Sequence, residues 1–183
     1  MRIIAGTAGG LRLECPAGVA RPMMDRVRGA VFSSLGEAVV GARVADLFAG
    51  SGAIGLEALS RGAASCMFVD SNRKSVAAIR ENLRRAKLDG NVRQQDVASF
   101  IATASPQSLD LIFADPPFAL DPADAAHPVS LLADAKFAAC AALHAIFVVE
   151  LPIEPPPETG AWELLRNKRY GQAWVAFYRK RHA

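Results

Sequence analysis

The chain has 183 residues, 51% of them hydrophobic, which is sufficient for one core and predicts a single compact domain over 1–183. Its 21 Lys and Arg against 18 Asp and Glu leave a net charge of +3, and no apolar run approaches the ~20 residues that span a bilayer, so a soluble, cytoplasmic protein is expected. Cys15, Cys66 and Cys140 are odd in number and far apart, and His127, His144 and His182 show no ligand spacing. Neither a disulfide framework nor a metal site is indicated, and three buried or semi-buried thiols are expected.

In chain order, Arg2–Ala5 and Leu11–Glu14 flank Gly6, Gly9 and Gly10 and predict a short hairpin. Arg21-Pro22 ends the next loop. From Asp25, an expected N-cap, Val27, Ala30, Val31, Leu35 and Ala38 fall at helical spacing, which predicts a helix to about Val40 and makes 1–40 an extension ahead of a core over 43–183. Then the pattern changes. Strands are predicted at Val44–Phe48, Cys66–Asp70, Asn91–Gln95, Leu109–Ala114 and Ala145–Leu151. Helices are predicted between them at Ala53–Ser60, Ser71–Lys87, Val97–Ala104 and Ser130–Ala142. This alternation implies a parallel sheet with helices on both faces. Trp162–Arg169 and Ala173–Arg179, joined at Tyr170-Gly171-Gln172, break the alternation and read as a hairpin closing one edge.

Gly50-Ser51-Gly52-Ala53-Ile54-Gly55 matches G-x-G-x-x-G between a strand and a helix, where backbone approaches a ligand closely and helix N-terminal amides face it. Asp70 ends the next strand about twenty residues on, where a carboxylate can take both hydroxyls of an adenosine ribose. That spacing serves dinucleotides and S-adenosylmethionine alike. Asp46, just before the loop, attracts an ammonium group and opposes a pyrophosphate, and Asp96, ending the third strand, can accept from an adenine amino group. An amino-acid-bearing cation therefore fits better than an anionic dinucleotide. The bland readings are strand-end surface acids for Asp46 and Asp70 and a helix cap for Asp96. Phe48, Gly50, Ser51 and Gly52 complete the expected cofactor loop.

Asp115-Pro116-Pro117-Phe118 follows an apolar run. Acceptor oxygens at a strand end can hold an exocyclic amino group, prolines fix the turn, and an aromatic ring can stack on a planar base. Standing alone, the stretch would be only a strand terminator. The charge distribution adds a partner. Arg2, Arg12, Arg21, Arg26 and Arg28 gather at the front and Arg166, Lys168, Arg169, Arg179, Lys180 and Arg181 at the end, whereas Asp110–Glu158 is acidic with Lys136 its only Lys or Arg. If the termini meet, they form one cationic face for a phosphate backbone, with Arg2, Arg21, Arg26, Arg28, Arg179 and Lys180 as its candidates; the alternative is a solvated surface.

Asp46 to Gly62, with Asp115–Phe118 and the upstream Arg21-Pro22 and Asp25-Arg26-Val27-Arg28, resembles the bacterial methyltransferases that modify guanine N2 in small-subunit (16S) ribosomal RNA, over nearly the whole chain. Met23-Met24 stands where that family has threonines. The resemblance implies an α/β class I, Rossmann-like fold of seven mostly parallel strands, S-adenosylmethionine at Asp46, Gly50, Gly52, Asp70 and Asp96, and the target base at Asp115, Pro116, Pro117 and Phe118. It implies 16S ribosomal RNA or a small-subunit assembly particle as partner, no membrane, and a monomer. Rivals are another amino-methyltransferase (adenine N6, a small molecule or a protein glutamine), a nicotinamide-dependent oxidoreductase, and a non-enzymatic RNA-binding protein.

Overall fold

The computed structural model of the chain describes residues 1–16, 23–121, 123–156 and 158–181, so Arg21, Pro22 and His182 lie outside the described residues. Helix α1 spans Asp25–Leu35 and passes into a 3-10 turn at Gly36–Val39, where Gly36 takes φ +53 and ends the regular helix before the predicted Val40. Asp25 is the first helical residue rather than the cap, which is Met24. From β1 (Arg43–Leu47) the order is α2 (Ala53–Ser60), β2 (Ser65–Asp70), α3 (Arg73–Ala86), β3 (Asn91–Gln94), α4 (Val97–Thr103) and β4 (Leu109–Ala114). The chain continues with α5 (Pro128–Ala133), α6 (Ala135–Cys140), β5 (Ala141–Leu151), the two-residue β6 (Glu158–Thr159), β7 (Trp162–Tyr170) and β8 (Ala173–Lys180).

The strands form one sheet in the order β3-β2-β1-β4-β5-β8-β7-β6. The first five are mutually parallel, and β8 then runs antiparallel to β5 and pairs with β7. This is the expected sheet of seven strands, with β6 added at its edge. Phe32, Leu56, Ile79 and Leu83 from α1–α3 cover one face; Phe100, Leu131 and Phe137 from α4–α6 cover the other. Phe32 stacks on Phe113 at 5.6 Å, and Phe137 meets Phe147 edge-on at 4.9 Å. Burying one such ring stabilises the fold by roughly 1.5–3 kcal/mol.

Local chemistry sets the ends. The Asn72 side chain accepts from Lys74 N at 2.8 Å to start α3, and Arg84 and Arg85 lie in its last turn, where cations favour the exposed carbonyls. The single helix predicted at Ser130–Ala142 is two, because Asp134 turns extended and its carboxylate accepts from Lys136 N at 2.7 Å, capping a new helix. The N-terminal hairpin is reduced to one bridge, Arg2 with Arg12. Its real anchor is α2: buried Glu57 accepts from Ile4 N at 2.6 Å and Ala5 N at 3.1 Å, and Ser60 O accepts from Thr7 N at 2.8 Å. A Cβ on Gly6 would lie 1.8 Å from that Ser60 oxygen, so the strap docks only as glycine. Cys66 and Cys140 are buried, whereas Cys15 is exposed, against expectation. Among the described residues, no helix is long and apolar enough to cross a membrane.

Candidate active site

A cavity of about 490 Å³, within the range of small-molecule sites, opens at the C-terminal ends of β1, β2 and β4. The chain leaves β1 through Phe48 at φ +60, a conformation costly for an aromatic residue and held here beside the cavity. Gly50 N then donates to Asp70 Oδ2 at 2.8 Å and Asn72 N to Asp70 Oδ1 at 2.8 Å, so two backbone amides fix the carboxylate and leave it free lone pairs. Gly55 lets α2 lie against β2: a Cβ there would meet Phe68 Cε1 at 2.3 Å.

Asp46 is buried and its Oδ2 accepts from Gly55 N at 2.9 Å. Burial first, and then the neighbouring Asp115 and Asp70 carboxylates, push it up to about 8, against the pull of that amide and of Arg28. An entering ammonium group would restore its charge. Asp96 lines the cavity, yet its carboxylate also caps α4, accepting from Ser99 N at 2.8 Å and Ser99 Oγ at 2.7 Å; these bonds hold it below the usual carboxylate range. Phe48, Ile54, Val69 and Val97 supply apolar walls, and Ser75 Oγ on α3 is buried without a partner among the described residues. A flat heteroaromatic group carrying hydroxyls and a cation fits these residues.

Asp115 borders the same cavity at the end of β4, where its Oδ2 accepts from Met23 N at 2.8 Å. Burial pushes it up to about 6. Pro116 is buried, Pro117 lines the cavity, and Phe118 stands half-exposed outside it. On β5, Glu150 follows Val149, which pairs with Ala114, so it flanks Asp115 on the side away from β1. Burial and the Asp115 charge push Glu150 up to about 7. Met23, Asn72, Ser75 and Glu150 were missed in the sequence; only Glu150 left a signal, an acid closing an apolar strand as Asp46, Asp70 and Asp115 do.

Several expected residues are placed elsewhere. Ser51 and Gly52 do not line the cavity. Ser51 turns to α3, its carbonyl accepting from Asn82 Nδ2 at 3.0 Å, and Gly52 starts α2 at φ +77. Arg28, a candidate for RNA, is fully buried; it donates to the carbonyls of Met23 and Arg2, pairs with Asp25 at 3.0 Å and lies 3.9 Å from Glu57. Its charge holds the strap against α1 and α2. Arg2 and Arg26 are exposed, whereas Arg21 lies outside the described residues.

The two basic ends do not share one end of the sheet. Arg179 pairs with Ile146, level with Leu111 and Val44 near the starts of the parallel strands, and its guanidinium meets Glu163 at 3.0 Å. Lys180 Nζ donates to Ala141 O at 2.6 Å. Both are about 15 Å along the strands from the cavity mouth. The hairpin residues level with Glu150 and Leu151 are Lys168 and Arg169. Arg166 lies over the Phe177 ring at 4.4 Å and Lys168 over Tyr170 at 5.4 Å, on the sheet face that carries Asp115.

Comparison with known proteins gives the same architecture a context. The sequence profile described as conserved hypothetical protein 95 matches residues 1–179. The ribosomal RNA small subunit methyltransferase D of Escherichia coli is 35% identical over 185 residues, covering 98% of this chain and 90% of that protein. YlbH of Bacillus subtilis is 33% identical over 190 residues, covering 99% and 100%. The solved structure of Escherichia coli yhhF superposes with a TM-score of 0.84 at 33% identity, covering 100% of this chain and 99% of that one.

Proposed function

Because this chain belongs to the conserved hypothetical protein 95 family, we propose that it is a class I ribosomal RNA methyltransferase that methylates the exocyclic N2 amino group of a guanine in 16S ribosomal RNA. The observation that carries the reading is Asp115, a partly buried acceptor at the end of β4, on the rim of a cavity lined by Asp70 and the Gly50 loop. Its small-subunit ribosomal RNA methyltransferase relative supports the substrate class. Four carboxylates around the cavity, Asp46, Asp70, Asp96 and Asp115, oppose a dinucleotide pyrophosphate and disfavour the oxidoreductase reading.

Asp70 would hold the ribose hydroxyls of S-adenosylmethionine, Asp96 its adenine amino group, and Asp46 with the Gly50 amides its amino-acid end. Bound there, it supplies a sulfonium methyl, whose transfer forms an N–CH3 bond, breaks the S–CH3 bond with its electron pair left on sulfur, and frees one proton from the nitrogen. A guanine amino nitrogen is a poor nucleophile, its lone pair delocalised into the ring, so orientation is the main requirement. Asp115 and the Pro116 carbonyl accept from the amino group and aim its lone pair, Phe118 stacks on the base, and Asp115 takes the released proton. The base leaves its stack to reach them, which a looped RNA makes cheap.

The test is nucleoside mass spectrometry of unmodified 16S RNA, free or in small-subunit particles, after reaction with the protein. N2-methylguanosine is the expected product. N6-methyladenosine, or RNA left unmethylated while another acceptor is consumed, overturns the reading.

A further inference from the structure

The end of β5 holds a carboxylate with no task in that reaction. Glu150 makes no hydrogen bond or ion pair among the described residues, although it is largely removed from water. Parallel pairing of Phe113 with Val148 and of Ala114 with Val149 sets Asp115 and Glu150 beside each other on adjacent strands, which lie about 4.8 Å apart. Alternation puts both on the face of Phe113 and Val148. Glu150 is not part of the cavity wall, so it lies beyond Asp115 from the cofactor side, where a base must enter. Three half-exposed apolar side chains stand within three residues of this pair or of its Met23 contact: Met24, Phe118 and Ile153. An apolar rim around two adjacent acceptors suits a flat ring with adjacent donors.

Guanine is the RNA base with that pattern. Its edge carries N1–H next to the N2 amino group, whereas adenine and cytosine place a ring-nitrogen lone pair beside theirs. We propose that Glu150 is a specificity-determining residue, accepting the N1–H of the target guanine while Asp115 accepts from its amino group. The inference rests on the guanine-N2 reading and adds to it a reason for rejecting adenine and cytosine: each would turn a lone pair against a carboxylate. Two like charges side by side are costly when both are ionised, in keeping with Asp115 and Glu150 being pushed up to about 6 and about 7. A guanine edge giving one donor to each relieves that cost.

The probe is 16S RNA assembled with guanosine or 2-aminopurine riboside at the nucleotide that the wild-type protein methylates. 2-Aminopurine keeps the amino group but offers a lone pair at N1. Single-turnover rates and equilibrium RNA binding are measured for wild type, Glu150→Gln and Glu150→Ala. Wild type should be slower on 2-aminopurine by roughly 100-fold or more, since a site built for a donor rejects an analogue lacking it. Glu150→Gln can offer an amide N–H to that lone pair and should narrow the gap at least tenfold, in rate and in binding. Glu150→Ala should narrow it by slowing the guanine substrate. A wild type indifferent to the replacement, or a gap unchanged in both variants with normal S-adenosylhomocysteine affinity, overturns the role of Glu150 alone. A wild type that forms no N2-methylguanosine overturns it together with the proposed function.

Discussion

At the single residue, Asp115 carries two tasks that substitution can separate. It accepts Met23 N at 2.8 Å, which shapes the turn, and it holds the target amino group in the proposed reaction. Asp115→Asn keeps an acceptor of the same size and loses the charge, whereas Asp115→Ala loses both. If positioning dominates, single-turnover methylation should fall only partly for Asn and far more for Ala. If proton abstraction dominates, both should fall by the roughly 10²–10⁴-fold typical of general-base loss. Wild-type rates for Asp115→Ala would reduce Asp-Pro-Pro-Phe to a strand terminator. The strand-end acids were legible because an acid that closes an apolar run can only emerge at the sheet's rim, where sites of this architecture lie. Ser51 and Arg28 were not, because spacing gives a residue's place on an element but not where its side chain turns. The burial of Arg28 follows from Glu57 and from the Arg2 carbonyl, both more than 25 positions away.

At the element scale, the β7–β8 hairpin sorts the C-terminal cations by level. Lys168 and Arg166 share the face of Asp115, Lys168 level with Glu150, while Arg179 is engaged by Glu163 at the far end. Lys168→Glu should therefore weaken RNA binding and flatten its dependence on salt, with Arg179→Glu markedly less damaging and cofactor affinity unchanged in both. A filter-binding salt titration decides it, and equal effects from the two variants would sink the ordering by level. Strands β1 to β5 and the hairpin were readable from apolar runs bounded by glycine and by acids. The split at Asp134 was not, since the alanine-rich run on both sides satisfies a single helix and only the local cap interrupts it. Nor was the meagre N-terminal ladder. Its glycines do mark a turn, but contacts with α2 replace strand pairing.

At the scale of the whole molecule, three carboxylates with raised values shape how stability depends on pH. Asp46 at about 8, Glu150 at about 7 and Asp115 at about 6 keep protons in the folded state that the unfolded chain releases near its ordinary 3.8–4.5. The folded state binds more protons across that window, so stability falls as pH rises from about 4 to about 8, by up to about 1.4 kcal/mol per pH unit for each group. Asp96 and Asp110, held low by the α4 cap and by Arg43, act with the opposite sign and only at more acid pH. Thermal melts without ligand should show Tm declining from pH 5 to 8. Asp46→Asn should flatten the upper half of that decline and be more stable than wild type at pH 8; parallel profiles would contradict the assignment. The strap on α2 bears on how the chain is made. Residues 4–14 find their partners at Glu57, Ser60 and Asn82, more than 50 positions further along. A nascent chain therefore releases its first segment long before anything exists to receive it, and the earliest residues synthesised are among the last to settle.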